Sequence, residues 1–238
     1  MSHLEYYHYQ ATARGIRSLA DVERAADGRL HVWERIVKSW LPTKSSAHIV
    51  ELACGHGSFL WWLRQRGYAQ SVGVDASPEQ LAFARQTGAS VIQADAITWL
   101  AGQPEASLDT IVGIDFIEHI SKDDLMALLK QSVRVLKPGG RLLLRYPNGD
   151  SPLVGMNLFN DITHVWTYTS NCLDTLARMH GFTRTVFADE SEQAIRDHRW
   201  IKVPLCRLSK AVLGFLFRAA AREKVVFWSP NLWACLEK

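Results

Sequence analysis

The chain has 238 residues, 47% of them apolar, and a formal net charge of +3. That composition fits one generous α/β domain, or one domain with an insertion, and the charge is too small to make nucleic acid the expected partner. The longest apolar run near the C-terminus, 211–217, is too short to span a bilayer. The first residues show no apolar h-region, so no signal peptide is expected. Cys54, Cys172, Cys206 and Cys235 are scattered without a C-x-x-C pair, as suits reduced thiols in a cytoplasmic protein.

Residues 1–20 carry Tyr6-Tyr7-His8-Tyr9 followed by Arg14 and Arg17. This reads as a packed arm or as a lid. From Asp21 to Leu41, Leu30, Trp33, Ile36, Val37, Trp40 and Leu41 recur at helical steps, and Pro42 with the polar residues after it ends the helix. Residues 1–45 are therefore expected to form a helical cap ahead of a main domain at 46–238.

Ile49-Val50-Glu51-Leu52 reads as a buried strand, Ala53 to Gly57 as a glycine turn, and Phe59 onward as the apolar face of a helix that Gly67 stops. Such a strand-turn-helix leaves amide donors aimed at whatever lies over the turn. Against the dinucleotide fingerprint G-x-G-x-x-G, Gly55 and Gly57 fit, but the third position is Leu60. Ser71 to Asp75 is the second strand. Its terminal carboxylate can accept two hydrogen bonds from a ribose diol, a feature dinucleotide enzymes share. Ser77-Pro78-Glu79-Gln80 opens a helix as cap, first position and capping-box partner. Ser90 to Gln93 is a third strand, and Asp95 after it either caps the next segment or meets a ligand.

Leu108 to Ile114 is a fourth strand running into Asp115-Phe116-Ile117-Glu118-His119-Ile120. Chemistry is expected there, because open α/β sheets bind ligands beyond the carboxyl ends of their strands. Ser121 caps a helix to about Leu136, Lys137-Pro138-Gly139-Gly140 turns, and Arg141 to Arg145 is the fifth strand. After a loop over 146–160 come Asp161-Ile162-Thr163-His164, a helix to His180, and strands at 182–188 and 231–237. Between those strands the excursion at 189–230 is basic. Leu205, Leu208, Val212, Phe215 and Ala219 are spaced as one helix face, and Arg207, Lys210, Arg218 and Arg222 as another. That helix is read as packed on its own domain or a dimer partner, or as facing a membrane or an anionic substrate.

The run E-L-A-C-G-H-G, Glu51 to Gly57, resembles motif I of class I S-adenosylmethionine-dependent methyltransferases. The E-H after the fourth strand and L-K-P-G-G before the fifth are similar to later segments of that family. The resemblance covers about residues 46–188 and the last strand. It implies a three-layer Rossmann-like fold with a seven-stranded, mostly parallel sheet, order 3-2-1-4-5-7-6, closed by an antiparallel strand. It also implies S-adenosyl-L-methionine as cofactor. Position by position, Gly55 and Gly57 with Ala53 and Cys54 would run beneath the methionine and ribose, and Glu51 would reach the ammonium. Asp75 with Ala76 would hold the ribose hydroxyls, Asp95, Ala96 and Ile97 would contact adenine, and Asp115 would line the same crevice. The D-I-T-H-V-W-T-Y-T stretch, 161–169, is similar to segments in methyltransferases of ubiquinone-biosynthesis and surface-polysaccharide type.

An oxygen nucleophile needs a base near neutral pH, and histidine is the usual one. His119 and His164, with Asp115 beside them, are the catalytic candidates, although either imidazole could equally cap or pack. An Asp161/His164/His119 metal site lacks diagnostic spacing, and no metal is expected. The expected reaction is O-methylation of a sugar or other small polar hydroxyl compound, with N- or C-methylation as the alternative. An NAD(P)-dependent oxidoreductase and a non-catalytic cofactor-binding subunit are the readings from other classes.

Overall fold

The structure is a computed structural model and describes residues 13, 15–221 and 225–238. The Tyr6–Tyr9 cluster proposed as a lid, together with Arg14 and Arg222, lies outside the described residues.

Seven strands form one sheet in the order β3-β2-β1-β4-β5-β7-β6. They are β1 (Ile49–Leu52), β2 (Ser71–Asp75), β3 (Ser90–Gln93), β4 (Leu108–Ile114), β5 (Leu136–Pro147), β6 (Arg184–Asp189) and β7 (Asn231–Glu237). The first five run parallel, and β7 lies antiparallel between β5 and β6. The expected order and the antiparallel closure both hold. Lys137–Gly140 bulges out of β5, which shifts the β4–β5 register between Leu108 and Thr110.

The helices are α1 (Leu19–Arg35), α2 (Ser58–Gln65), α3 (Pro78–Ala84), α4 (Ala96–Ala101), α5 (Lys122–Val135), α6 (Gly155–Leu158), α7 (Ser170–His180) and α8 (Arg199–Ala221). Ser77, Asp95, Ser121 and Thr169 each accept a backbone N–H as helix N-caps. The long helix expected to reach Leu41 ends at Arg35, and a 3-10 turn follows over Val37–Trp40.

Period-two alternation divides the strands between two cores. Ile111, Leu142, Leu144, Ala234 and Leu236 face one side with Leu100, Leu128 and Leu129. Val112, Leu143, Trp233 and Cys235 face the other, where Trp33 of α1 and Phe59 and Trp62 of α2 fill the space. Trp33 meets Phe59 edge-on at 5.2 Å, and Phe59 stacks on Trp62 at 5.2 Å. This packing fixes α1 beside the carboxyl ends of β1 and β4, where the strand order reverses and a crevice opens.

Candidate active site

A cavity of about 940 Å³ fills that crevice. Ala53 and Asp115, the residues after β1 and β4, both take left-handed backbone conformations (φ 52° each). The two strands that frame the crevice therefore end in sharp turns. Gly55 is left-handed as well, at φ 54°, where a side chain would be strained. Gly57 is left-handed too, at φ 83°, and has a second reason to be glycine. A Cβ there would stand 2.9 Å from Ala84 of α3, so its bareness lets the α2 N-terminus pack on α3.

At the cofactor end, Asp75 ends β2 and ties the loops together. Its carboxylate accepts from the Gly55 amide at 2.8 Å and the Ser77 amide at 2.8 Å, which leaves further lone pairs for a diol. Burial raises its pKa, opposed by those amide bonds. Glu51 is buried with its Oε2 unpartnered. Burial first, then the nearby Asp75 charge, push its carboxyl well above the usual range, and Arg29 pulls the other way. A buried acid of this kind suits a cationic ligand group, such as an amino acid's ammonium. Arg29 reaches the cavity from α1, in the row Ala25, Arg29, Trp33, all of which line the wall. The Cys54 thiol is buried and pushed well up, so it packs rather than reacts.

Of the residues expected to touch cofactor, Glu51, Ala53, Cys54, Gly55, Asp75, Ala76, Asp95, Ala96 and Asp115 line the cavity. Gly57 and Ile97 do not. Gly57 is taken up by the contact with Ala84, and Ile97 packs against the core. Asp95 combines both of its readings, lining the cavity while accepting the Thr98 amide at 2.8 Å.

At the other end, Asp115 is paired with Arg145 and, at 3.2 Å, with Arg29. Burial opposes its ionisation, yet the two guanidiniums hold its carboxyl at about 2. It is thus a fixed anion and not a base near neutral pH, which moves it from the catalytic candidates to the framework. Arg145 is itself buried and also bonded to Glu190 at 2.5 and 3.0 Å. Glu190 in turn accepts the Trp233 indole N–H at 2.6 Å. A charged network thereby links β4, β5 and β7.

His119 and His164 come together, their ring centroids 4.6 Å apart. The loop after β5 is stitched to the loop after β4 by the Val165 amide, which donates to the Glu118 carbonyl at 2.7 Å. Thr163 donates its hydroxyl to Asp161 at 2.6 Å, and its oxygen faces His119 Nδ1 at 2.9 Å. His164 Nδ1 lies 2.9 Å from the Leu158 carbonyl. Burial, then the neighbouring His164, lower the His119 pKa to about 4. Glu118 is buried with Oε2 unpartnered, and burial and the Asp115 charge raise its carboxyl well above the usual range.

The sequence reading gave no role to Arg29, Arg145, Glu118 or Glu190. A signal existed for two of them. Arg29 interrupts an apolar helical row, and Arg145 ends the continuous run Leu142-Leu143-Leu144. A charge on a face bound for burial needs a partner.

Comparison with known proteins agrees with this geometry. Residues 49–140 match a family described as Methyltransferase domain. A ubiquinone biosynthesis O-methyltransferase of Idiomarina loihiensis is 33% identical over 99 residues, 40% of each chain. A trans-aconitate 2-methyltransferase of an Azoarcus species is 36% identical over 116 residues, 47% of this chain and 44% of that one. These matches span less than half the length of either relative. Among solved structures, a SAM dependent methyltransferase from Archaeoglobus fulgidus superposes with a TM-score of 0.68 at 21% identity, over 88% of this chain and 93% of that one. The dinucleotide reading falls on the structure too, since Leu60 at the third glycine position is buried against Leu81 and Ala89. With its strand order, its crevice at the β1/β4 switch and these relatives, the chain carries a methyltransferase domain of Rossmann-like, S-adenosylmethionine-dependent type, and S-adenosyl-L-methionine is its cofactor.

Proposed function

We propose that this protein transfers a methyl group to an oxygen, on a sugar or other small polar hydroxyl group carried by an amphiphilic acceptor. When bound, the cofactor supplies an electrophilic methyl on a sulfonium, which the acceptor oxygen takes while the electron pair of the broken bond stays on sulfur. Glu51 would hold the cofactor's ammonium, Arg29 its carboxylate, Asp75 the ribose diol, and Asp95 with Ala96 the adenine. The loops would place the acceptor hydroxyl in line and exclude water. His164 would receive its proton at Nε2, with His119 as the neutral imidazole beside it. The observation that carries an oxygen acceptor is this pair of imidazoles at the end of the cavity away from Asp75.

The rim of that end is apolar. Met156, Phe159, Ile162, Val165 and Trp166 are all exposed on the loop carrying His164. The outward face of α8 continues in kind, with Leu205, Leu208, Val212 and Phe215 exposed and Lys202 and Arg218 among the same helix's exposed residues. The two surfaces are tied through Trp228, which packs on Phe217 of α8 and accepts from Ser151. We assign this combined surface to the interface of an anionic membrane, with self-association as the competing outcome. The four unpaired cysteines go with a cytoplasmic setting, and residues 1–45 would act as a cap on the 46–238 domain, with 189–230 as its docking insertion.

The test is an acceptor screen that follows S-adenosylhomocysteine formation with nucleotide sugars, lipid-linked glycans and quinol precursors. Turnover confined to amine or carbon acceptors would overturn the oxygen assignment. A preference for soluble sugars over their lipid-linked forms would overturn the amphiphilic one.

A further inference from the structure

Glu118, His119 and His164 do more than share a loop junction. One ligand atom from each lies within 4.8 Å of the other two, and all three line the cavity. The hydrogen bonds behind them fix how the imidazoles face. Thr163 spends its hydroxyl proton on Asp161, so its oxygen can only accept from His119 Nδ1–H. The Leu158 carbonyl likewise can only accept from His164 Nδ1–H. Each neutral ring then carries its lone pair on Nε2. An Nδ1–H held by a carbonyl, or relayed to a carboxylate, is the arrangement that orients histidine ligands around a metal. The third group, Glu118, is a buried carboxylate whose Oε2 has no partner, a costly state unless a positive charge is supplied.

We propose that Glu118, His119 and His164 form a divalent transition-metal site at the acceptor end of the cavity, with Thr163, Asp161 and the Leu158 carbonyl as positioning groups. Two imidazoles and one carboxylate select zinc, manganese, cobalt or iron(II) over magnesium, which prefers an all-oxygen shell. Three protein ligands leave coordination positions open for an acceptor's oxygen. The inference rests on the methyl-transfer reading and deepens it. A hydroxyl bound to the cation loses its proton to water more readily, and its oxygen then forms the bond to the methyl carbon as the sulfur–carbon bond breaks. In this form the histidines are ligands, and the chelated enzyme falls back on His164 as the base.

The experiment uses the full chain, stripped with a chelator and titrated with cobalt(II) as a spectroscopic probe. One equivalent is expected to bind and give ligand-field absorption. His119→Asn, His164→Asn and Glu118→Gln should each weaken binding by about tenfold or more, and Thr163→Val by less. Cofactor affinity of the same samples, measured by calorimetry, reports whether each variant folds. If wild-type protein binds cofactor but no cobalt, or if folded variants bind cobalt as wild type does, the metal site is wrong and the methyl-transfer reading stands. If wild type binds cobalt but no cofactor, the methyl-transfer reading fails instead.

Discussion

Helices α1 and α8 both repeat apolar residues at helical spacing, and both lie outside the alternation of parallel strands and helices. Along α1 the stripe of Val22, Ala26 and Trp33 is buried, and the adjacent row delivers Arg29 to the cavity. Along α8, Leu205, Leu208, Val212 and Phe215 are 52 to 72% exposed. The rest of the fold holds α8 through Phe217 on Trp228 and through two ion pairs, Arg207 on Glu192 at 2.9 Å and Lys210 on Asp189 at 3.6 Å. Two of the four charges read as a basic face are thus paired with the protein's own acids. An amphipathic pattern states that a face prefers cover. What covers it depends on where the fold puts the helix, and here one helix buries its stripe among aromatic rings while the other leaves its stripe to solvent.

The contrast can be broken most forcefully at Trp33. Trp33→Ala removes a buried indole between Phe59 and Trp62 and is expected to cost about 3–5 kcal/mol in denaturant melts. A cost under about 1 kcal/mol would mean that α1 is only loosely docked. Next comes Arg29→Ala, which leaves the α1 core intact. Losing hydrogen bonds to charged groups, roughly 1.5–3 kcal/mol, should weaken cofactor binding roughly tenfold to a hundredfold in calorimetry. Unchanged affinity would make α1 a packing element and nothing more.

A smaller effect follows from the Glu51 carboxyl that Arg29 faces. Burial and Asp75 raise its pKa in the empty site, while a cationic ligand group favours the ionised form. Binding therefore releases a proton, and cofactor affinity should climb with pH by at most about tenfold per unit, levelling once the empty site is itself ionised. The stability sign is consistent. A carboxyl whose folded pKa is raised contributes fully below its unfolded value, and that contribution is lost as pH rises through the folded one. Calorimetry in two buffers of different ionisation enthalpy reads the proton, and Glu51→Gln should abolish it. The smallest effect belongs to α8. Leu208→Ser and Phe215→Ser should move stability by no more than about 0.5 kcal/mol while lowering retention on anionic vesicles. A large stability loss would show that a second copy covers the helix.

Local chemistry was legible in the sequence. The Ser77 and Ser121 caps, the β1 turn, and the acids ending β2 and following β3 are short-range features whose residue types carry their own reason. Strand order came through resemblance rather than periodicity. Illegible were the encounters between distant residues. Arg29 with Asp115, Arg145 with Glu190, and Glu118 with His164 are each brought together only by the assembled sheet. Gly57 shows a subtler limit, since its spacing suggested a ligand while its neighbour is Ala84. Asp115 shows another, because an acid after β4 reads as chemistry until its two arginines are seen.

The position of β7 has a consequence for how fast the fold forms. The strand is interior, flanked by β5 and β6, yet the whole α8 excursion separates it in sequence from β6. Both neighbours must hold open hydrogen-bonding edges until it arrives, and that closure carries a large loop entropy. Folding should therefore pass through a state with β1 to β5 paired and the β5 edge bare, a state prone to strand-mediated aggregation. Amide protons on β5 that point toward β7 would gain protection later than those that point toward β4.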